Sequence, residues 1–96
     1  MSPKNKKKLE GIRTKLDKLD NKLLALIRYR TYLVKEVLKL KEFKKEIIDI
    51  KRINFILKKI NAKSKKLKID PKITNRIWKN MIWSYIDYEK RNFKKK

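Results

Sequence analysis

The chain has 96 residues, 31 of them Lys or Arg against 10 Asp or Glu, with no His, no Cys, one Gly and two Pro. These absences exclude thiol nucleophiles, imidazole bases, Cys/His zinc sites and a glycine-rich phosphate loop, and they leave little material for β-hairpins. The formal charge of +21 fits a nucleic-acid or anionic-membrane partner, yet only six of the basic residues are Arg, at 13, 28, 30, 52, 76 and 91, and the Lys-rich remainder, with many Ile and Asn, is also what an AT-rich coding sequence writes on any solvated surface.

The N-terminal stretch Met1–Lys8 is basic, but amphipathic sequence follows it rather than an apolar signal core, and no transmembrane run exists. The default is a soluble, cytoplasmic chain of one domain over residues 1–96, with 1–5 and 94–96 as frayed basic tails. From Leu9 onward, Ile12, Leu16, Leu19, Leu23, Leu26, Leu33, Val37 and Leu40 recur at steps of three and four, the signature of one apolar stripe on a long helix. Where the repeat calls for an apolar residue between Leu26 and Leu33 stands Arg30, and three turns later on nearly the same face stands Lys41. Cations in an apolar stripe are costly unless an anion meets them. A helix over residues 5–43 would be roughly 58 Å long, against a radius of gyration of about 12 Å for a compact chain of this size. A second copy is the simplest cover for the overhanging stripe.

The pattern breaks between Phe43 and Ile48, where Glu42 and Glu46 would be like charges one turn apart on a continued helix. Asp49 is a good N-cap for a second helix carrying Ile53, Ile56, Leu57, Ile60, Ser64 and Leu67. Lys65–Lys68 reads as a solvated turn, and Asp70-Pro71 is a strong start signal for a third helix. That helix turns Ile73, Ile77, Trp78, Met81, Ile82, Tyr85, Tyr88 and Glu89 toward one side and frays near Phe93. No segment alternates with period two, so the fold class is all-α with three helices.

Four basic side chains stand out as anion ligands: Arg13, Arg30, Lys41 and Arg52. Arg30 and Lys41 lie roughly 16 Å apart along the axis, close enough for long side chains to grip one small dianion. Arg52 falls in the first turn of the second helix, where backbone N–H groups also favour anions. Arg13 is about 25 Å from Arg30 along the axis and reaches such a site only from a second copy. Each Arg is otherwise an ordinary surface or ion-paired residue, except Arg30, whose position in the stripe is a core one. Glu89 is either a surface residue near a helix end or a carboxyl held neutral in an apolar site, where it can donate a hydrogen bond. Trp78, Trp83, Tyr85 and Tyr88 read as core or interface aromatics rather than a base-stacking platform.

The chain resembles the all-helical chorismate mutase family. The resemblance rests on Ile12-Arg13, the Leu-Asp-x-x-Leu-Leu-x-Leu-x-x-x-Arg block from Leu19 to Arg30, Leu33-Val34, Val37, Lys41, Asp49, Arg52, Asp70-Pro71, Ile77-Trp78 and Tyr88-Glu89, in order along nearly the whole chain. It implies an interlocked homodimer of three-helix chains with a long first helix and two equivalent sites. By the same resemblance, Arg30 grips one substrate carboxylate and Arg13 of the other copy grips another. Lys41 touches a carboxylate and the ether oxygen of chorismate, Glu89 also reaches that oxygen, and Arg52 with the backbone at Asp49 completes the pocket beside Tyr85 and Ile86.

The implied reaction is the rearrangement of chorismate to prephenate, a step of aromatic amino acid biosynthesis that needs no cofactor, metal or nucleophile. Ile53 stands where the family often has Glu, and with Tyr85-Ile86 this looks like the related isochorismate pyruvate-lyases, whereas Glu89 stands where those lyases have Gln. That lyase is the same-fold alternative. A basic helical nucleic-acid-binding protein is the alternative from another class; a nucleic acid is not the expected partner, and no membrane partner is expected.

Overall fold

The structure, a computed structural model, describes residues 1–94. Three α-helices follow one another, α1 (Pro3–Leu40), α2 (Ile50–Lys66) and α3 (Pro71–Asn92), with one 3-10 turn at Lys44–Glu46 and no strand among the described residues. The all-α, three-helix expectation holds. α1 begins where Ser2 Oγ accepts the Asn5 N–H at 3.2 Å, one residue before Pro3 occupies the first helical position. Its end comes at Leu40 rather than at residue 43. At the stop the Glu46 carboxylate accepts the N–H groups of Glu42 and Phe43 at 2.7 and 2.9 Å, donors that a continued helix would have given to Leu38 and Lys39. Of the basic tail expected at 94–96, residues 95 and 96 lie outside the described residues.

Two compact units make up the chain, Met1–Leu33 and the part from Val34 onward. The first is a single stretch of α1 in which no residue is buried. Its apolar stripe is regular and unfilled: Ile12, Leu16, Leu19 and Leu23 stand 47–55% exposed.

The second unit holds the core. Ile47, Ile82 and Ile86 are buried together, and Leu38, Ile53, Ile56, Leu57 and Phe93 pack against them. Ile47 follows the 3-10 turn and Phe93 follows the last turn of α3, so the α1–α2 connection and the segment just after α3 are each pinned by an apolar side chain. α2 starts on Asp49, whose carboxylate accepts the Arg52 N–H at 3.0 Å, and α3 on Asp70, which accepts the Lys72 N–H at 2.9 Å. Between them α2 ends in a Schellman motif: Ile69 N–H bonds the Ser64 carbonyl at 2.8 Å and Lys68 N–H that of Lys65 at 3.1 Å. Lys68 takes φ 59° there, a place that normally goes to Gly. The buried Ser64 hydroxyl donates to the Ile60 carbonyl at 2.7 Å, so in its 2.6 Å contact with Thr74 the Thr hydroxyl is the donor, and the two helices are locked at their joined ends. Leu67, Ile73 and Ile77, placed on apolar faces by spacing, remain 68, 56 and 51% exposed.

Candidate functional site

Lys41 is the first residue beyond α1, and Glu89 lies near the end of α3, 48 residues on. Their side chains meet at 2.7 Å, with the Lys41 ammonium donating to Glu89 Oε2. Only 17% of the Lys41 side chain and 9% of the Glu89 side chain reach solvent, so this is a largely dehydrated charged hydrogen bond and not a surface pair. Lys41 stands just past the stop of α1, where Glu46 takes the next backbone N–H groups. Glu89 takes its place from the α3 periodicity that buries Ile82 and Ile86 on the same face.

Beside this pair is an open depression of about 510 Å³, with Val37, Leu40, Ile48 and Ile50 as apolar walls and Lys41, Glu46, Asp49 and Lys51 as polar ones. The Glu46 carboxyl is held below the ordinary carboxylate range, first by the Phe43 and Glu42 backbone N–H groups, with Lys41 and Lys45 adding smaller attractions. Arg52 lies in the first turn of α2, solvent-exposed, with its guanidinium 5.5 Å from the centre of the Phe55 ring. Lys35 and Arg91 flank the Tyr88 ring at 6.0 and 5.9 Å, while Arg91 is also bonded to Asp87 at 2.9 Å.

Of the residues singled out in the sequence, the second unit thus brings Lys41 and Glu89 into contact and puts Asp49 on the wall next to Lys41. Tyr85 is half-buried, and Ile86 belongs to the apolar core. Arg13 and Arg30 belong to the first unit, Arg13 exposed and Arg30 half-buried. Sequence reasoning missed Lys51 and Glu46 as wall residues. For Lys51 the only signal was its place in the first turn of α2. For Glu46 the signal was its three-residue spacing from Phe43, the reach of a capping carboxylate. No group of acidic side chains suited to a metal occurs among the described residues, and none of the described helices is long and apolar enough to cross a membrane.

What the second unit offers chemically is a cation held in a mostly apolar setting by a carboxylate from a distant helix, at the edge of a depression that admits a small molecule. Its polar wall carries charges of both signs, Lys41 and Lys51 against Glu46 and Asp49. The family model described as Chorismate mutase type II matches residues 12–90. The chain belongs to that family, and a chorismate mutase-type function goes with it. No curated protein and no solved structure matches the chain.

Proposed function

We propose that the chain is a chorismate mutase that converts chorismate to prephenate, and that Lys41 and Glu89 work at the ether oxygen. The reading is carried by the dehydrated Lys41–Glu89 contact of 2.7 Å beside a depression large enough for a small dicarboxylate. In the rearrangement the ether C–O bond breaks as a C–C bond forms within the same molecule. The enzyme holds the flexible substrate in its compact conformer, which is a positioning effect. It also stabilises the negative charge that grows on the ether oxygen, for which one well-placed donor contributes roughly 3–4 kcal/mol. Lys41 is that donor. Glu89 holds that ammonium in place through the 2.7 Å contact.

Charge counting gives the remaining roles. Lys41, Lys51 and Arg52 supply three positive charges and Glu46, Asp49 and Glu89 three negative ones, a cluster that sums to zero. A dicarboxylate therefore needs further cations. We assign them to Arg30 and, from a second copy, to Arg13, with Arg52 and the backbone at Asp49 closing the start of α2 and Tyr85 and Ile86 backing the pocket. On this reading the functional unit is a homodimer of single-domain chains.

The test is product analysis with two substrates. Chorismate should be consumed to a product of unchanged mass, with no release of pyruvate, and isochorismate should not be cleaved. Pyruvate released from isochorismate as the main activity would replace this reading with the lyase, and no turnover of either would remove the enzyme reading altogether.

A further inference from the structure

α2 differs from the other two helices in one respect: it contains no acidic residue. Between Asp49 and Asp70 the chain has eight Lys or Arg and no Asp or Glu, whereas the 49 residues before carry 15 against 7 and the 27 from Asp70 on carry 8 against 3. A coding bias toward Lys would raise the basic count everywhere without emptying one helix of acids.

The cations are also sorted by face. At 100° per residue, Lys51, Arg52, Lys58, Lys59, Lys63, Lys65 and Lys66 fall within one half of the helix surface, opposite Ile53, Ile56, Leu57, Ile60 and Ser64, which face the core. All seven are exposed and none takes part in an ion pair among the described residues. Lys51, Lys58 and Lys65 form a row with about 10 Å between neighbours. Seven like charges on one helix face repel one another, which disfavours the helix in isolation. The last-turn lysines do suit the helix dipole, but that account does not reach Lys51, Lys58 or Lys59.

In the middle of this face stands an aromatic ring that the core does not claim. Phe55 is 54% exposed, with the Arg52 guanidinium 5.5 Å and the Lys59 ammonium 5.7 Å from its ring centre. An exposed Phe on the polar side of an amphipathic helix gains nothing from solvent. It offers a flat surface with a cation at each end.

We infer that the outward face of α2 is a binding surface for single-stranded nucleic acid, with phosphates on the lysine rows and a base stacked on Phe55. The pattern of cations around an exposed ring is what such strands require, because stacking is tolerant of sequence and phosphate contacts track the backbone. A lipid surface would need several apolar side chains on this face, and Phe55 is alone there. The surface meets the proposed catalytic site only at Lys51 and Arg52; Lys58, Lys59, Lys63, Lys65 and Lys66 have no role at the Lys41 site, and the variants that test the surface leave Lys51 and Arg52 unchanged.

The experiment is fluorescence anisotropy of the full chain with a labelled single-stranded RNA of mixed sequence, across a salt series. Engagement of about four phosphates gives a slope of log K on log salt near −3, roughly a 50-fold loss from 50 to 200 mM salt. The quadruple variant Lys58→Gln, Lys59→Gln, Lys65→Gln, Lys66→Gln should bind at least 30-fold more weakly at low salt and lose most of that slope. A variant of equal charge, Lys15→Gln, Lys18→Gln, Lys22→Gln, Lys79→Gln, should change affinity less than three-fold. Phe55→Ala should weaken binding about ten-fold and leave the slope unchanged. Equal losses in the two quadruple variants would mean that net charge alone binds the strand, and would overturn the proposal. So would equal affinity for duplex RNA, or a stronger affinity for vesicles with a quarter phosphatidylserine than for the strand.

Discussion

Glu89 and Lys41 respond differently to substitution, because only one of them suits the charge that develops in the reaction. Lys41→Ala leaves a carboxylate with 9% of its side chain exposed and no counter-ion, which costs about 3 kcal/mol, at the low end for a broken buried pair because some solvent reaches Lys41. Urea unfolding at fixed protein concentration should show that loss together with a near-complete loss of activity. Glu89→Gln is the more informative change. The amide still accepts from Lys41 through its carbonyl and keeps a donor at every pH, so the fold is held and the rate is retained. If Glu89 acts by holding Lys41, kcat/KM of Glu89→Gln stays close to wild type, whereas Glu89→Ala, which leaves the ammonium unheld, loses activity. A Glu89→Ala variant that folds and is fully active would take Glu89 out of the mechanism. The contact itself was not legible in the sequence, because no local period links residues 48 apart. Each partner was legible singly, Lys41 by its register with the stripe and Glu89 by its place on the buried face of α3.

At the level of elements, the helix starts were readable and the stops were not. Asp49 and Asp70-Pro71 announce α2 and α3 because a capping carboxylate and a proline act on their own first turn. The stop of α1 depends on a carboxylate six residues beyond Leu40, and that of α2 on a Schellman motif built without glycine. The second case gives a prediction. Lys68 sits at φ 59°, where an L side chain is strained and glycine is not, so Lys68→Gly should stabilise the protein by about 0.5–1 kcal/mol, less whatever glycine loses in unfolded-state entropy. A rise in thermal midpoint of a few degrees would show it, and a fall would mean that the lysine side chain contributes more than its backbone costs. The first case gives a pH dependence. The Glu46 carboxyl is held low by the N–H groups it accepts, so its contribution is present above the ordinary carboxylate range and is lost as pH falls through its lowered folded value. Amide exchange at Glu42 and Phe43 should therefore stay protected at neutral pH and open in acid, while Glu46→Ala should open both at any pH.

For the molecule as a whole, the question is what covers the stripe of the first unit. Ile12, Leu16, Leu19, Leu23, Leu26 and Leu33 stand 55, 51, 51, 47, 64 and 43% exposed, an apolar row, interrupted by Arg30, that a folded chain rarely leaves in water. Full burial would return about 1 kcal/mol for each, roughly 12 kcal/mol over two copies, enough to meet the several kcal/mol that association costs. Against it stands the charge, since two copies of a +21 chain repel. The two effects have opposite responses to salt. Screening weakens the repulsion and leaves the apolar term intact, so the dimer should tighten as salt rises, contrary to the usual behaviour of complexes held by ion pairs. Sedimentation at micromolar concentration and two salt levels tests this, and a folded, active monomer would refute it. The same assembly decides the role of Arg13. If Arg13 serves the site of the other copy, Arg13→Ala and Arg30→Ala are each close to inactive, but unfolding and reassembling an equal mixture creates one intact site in every heterodimer. With random pairing, half the dimers are mixed, so about a quarter of wild-type activity should return. No recovery, with subunit exchange demonstrated by mass spectrometry of the native dimers, would place Arg13 in its own chain's site or outside catalysis.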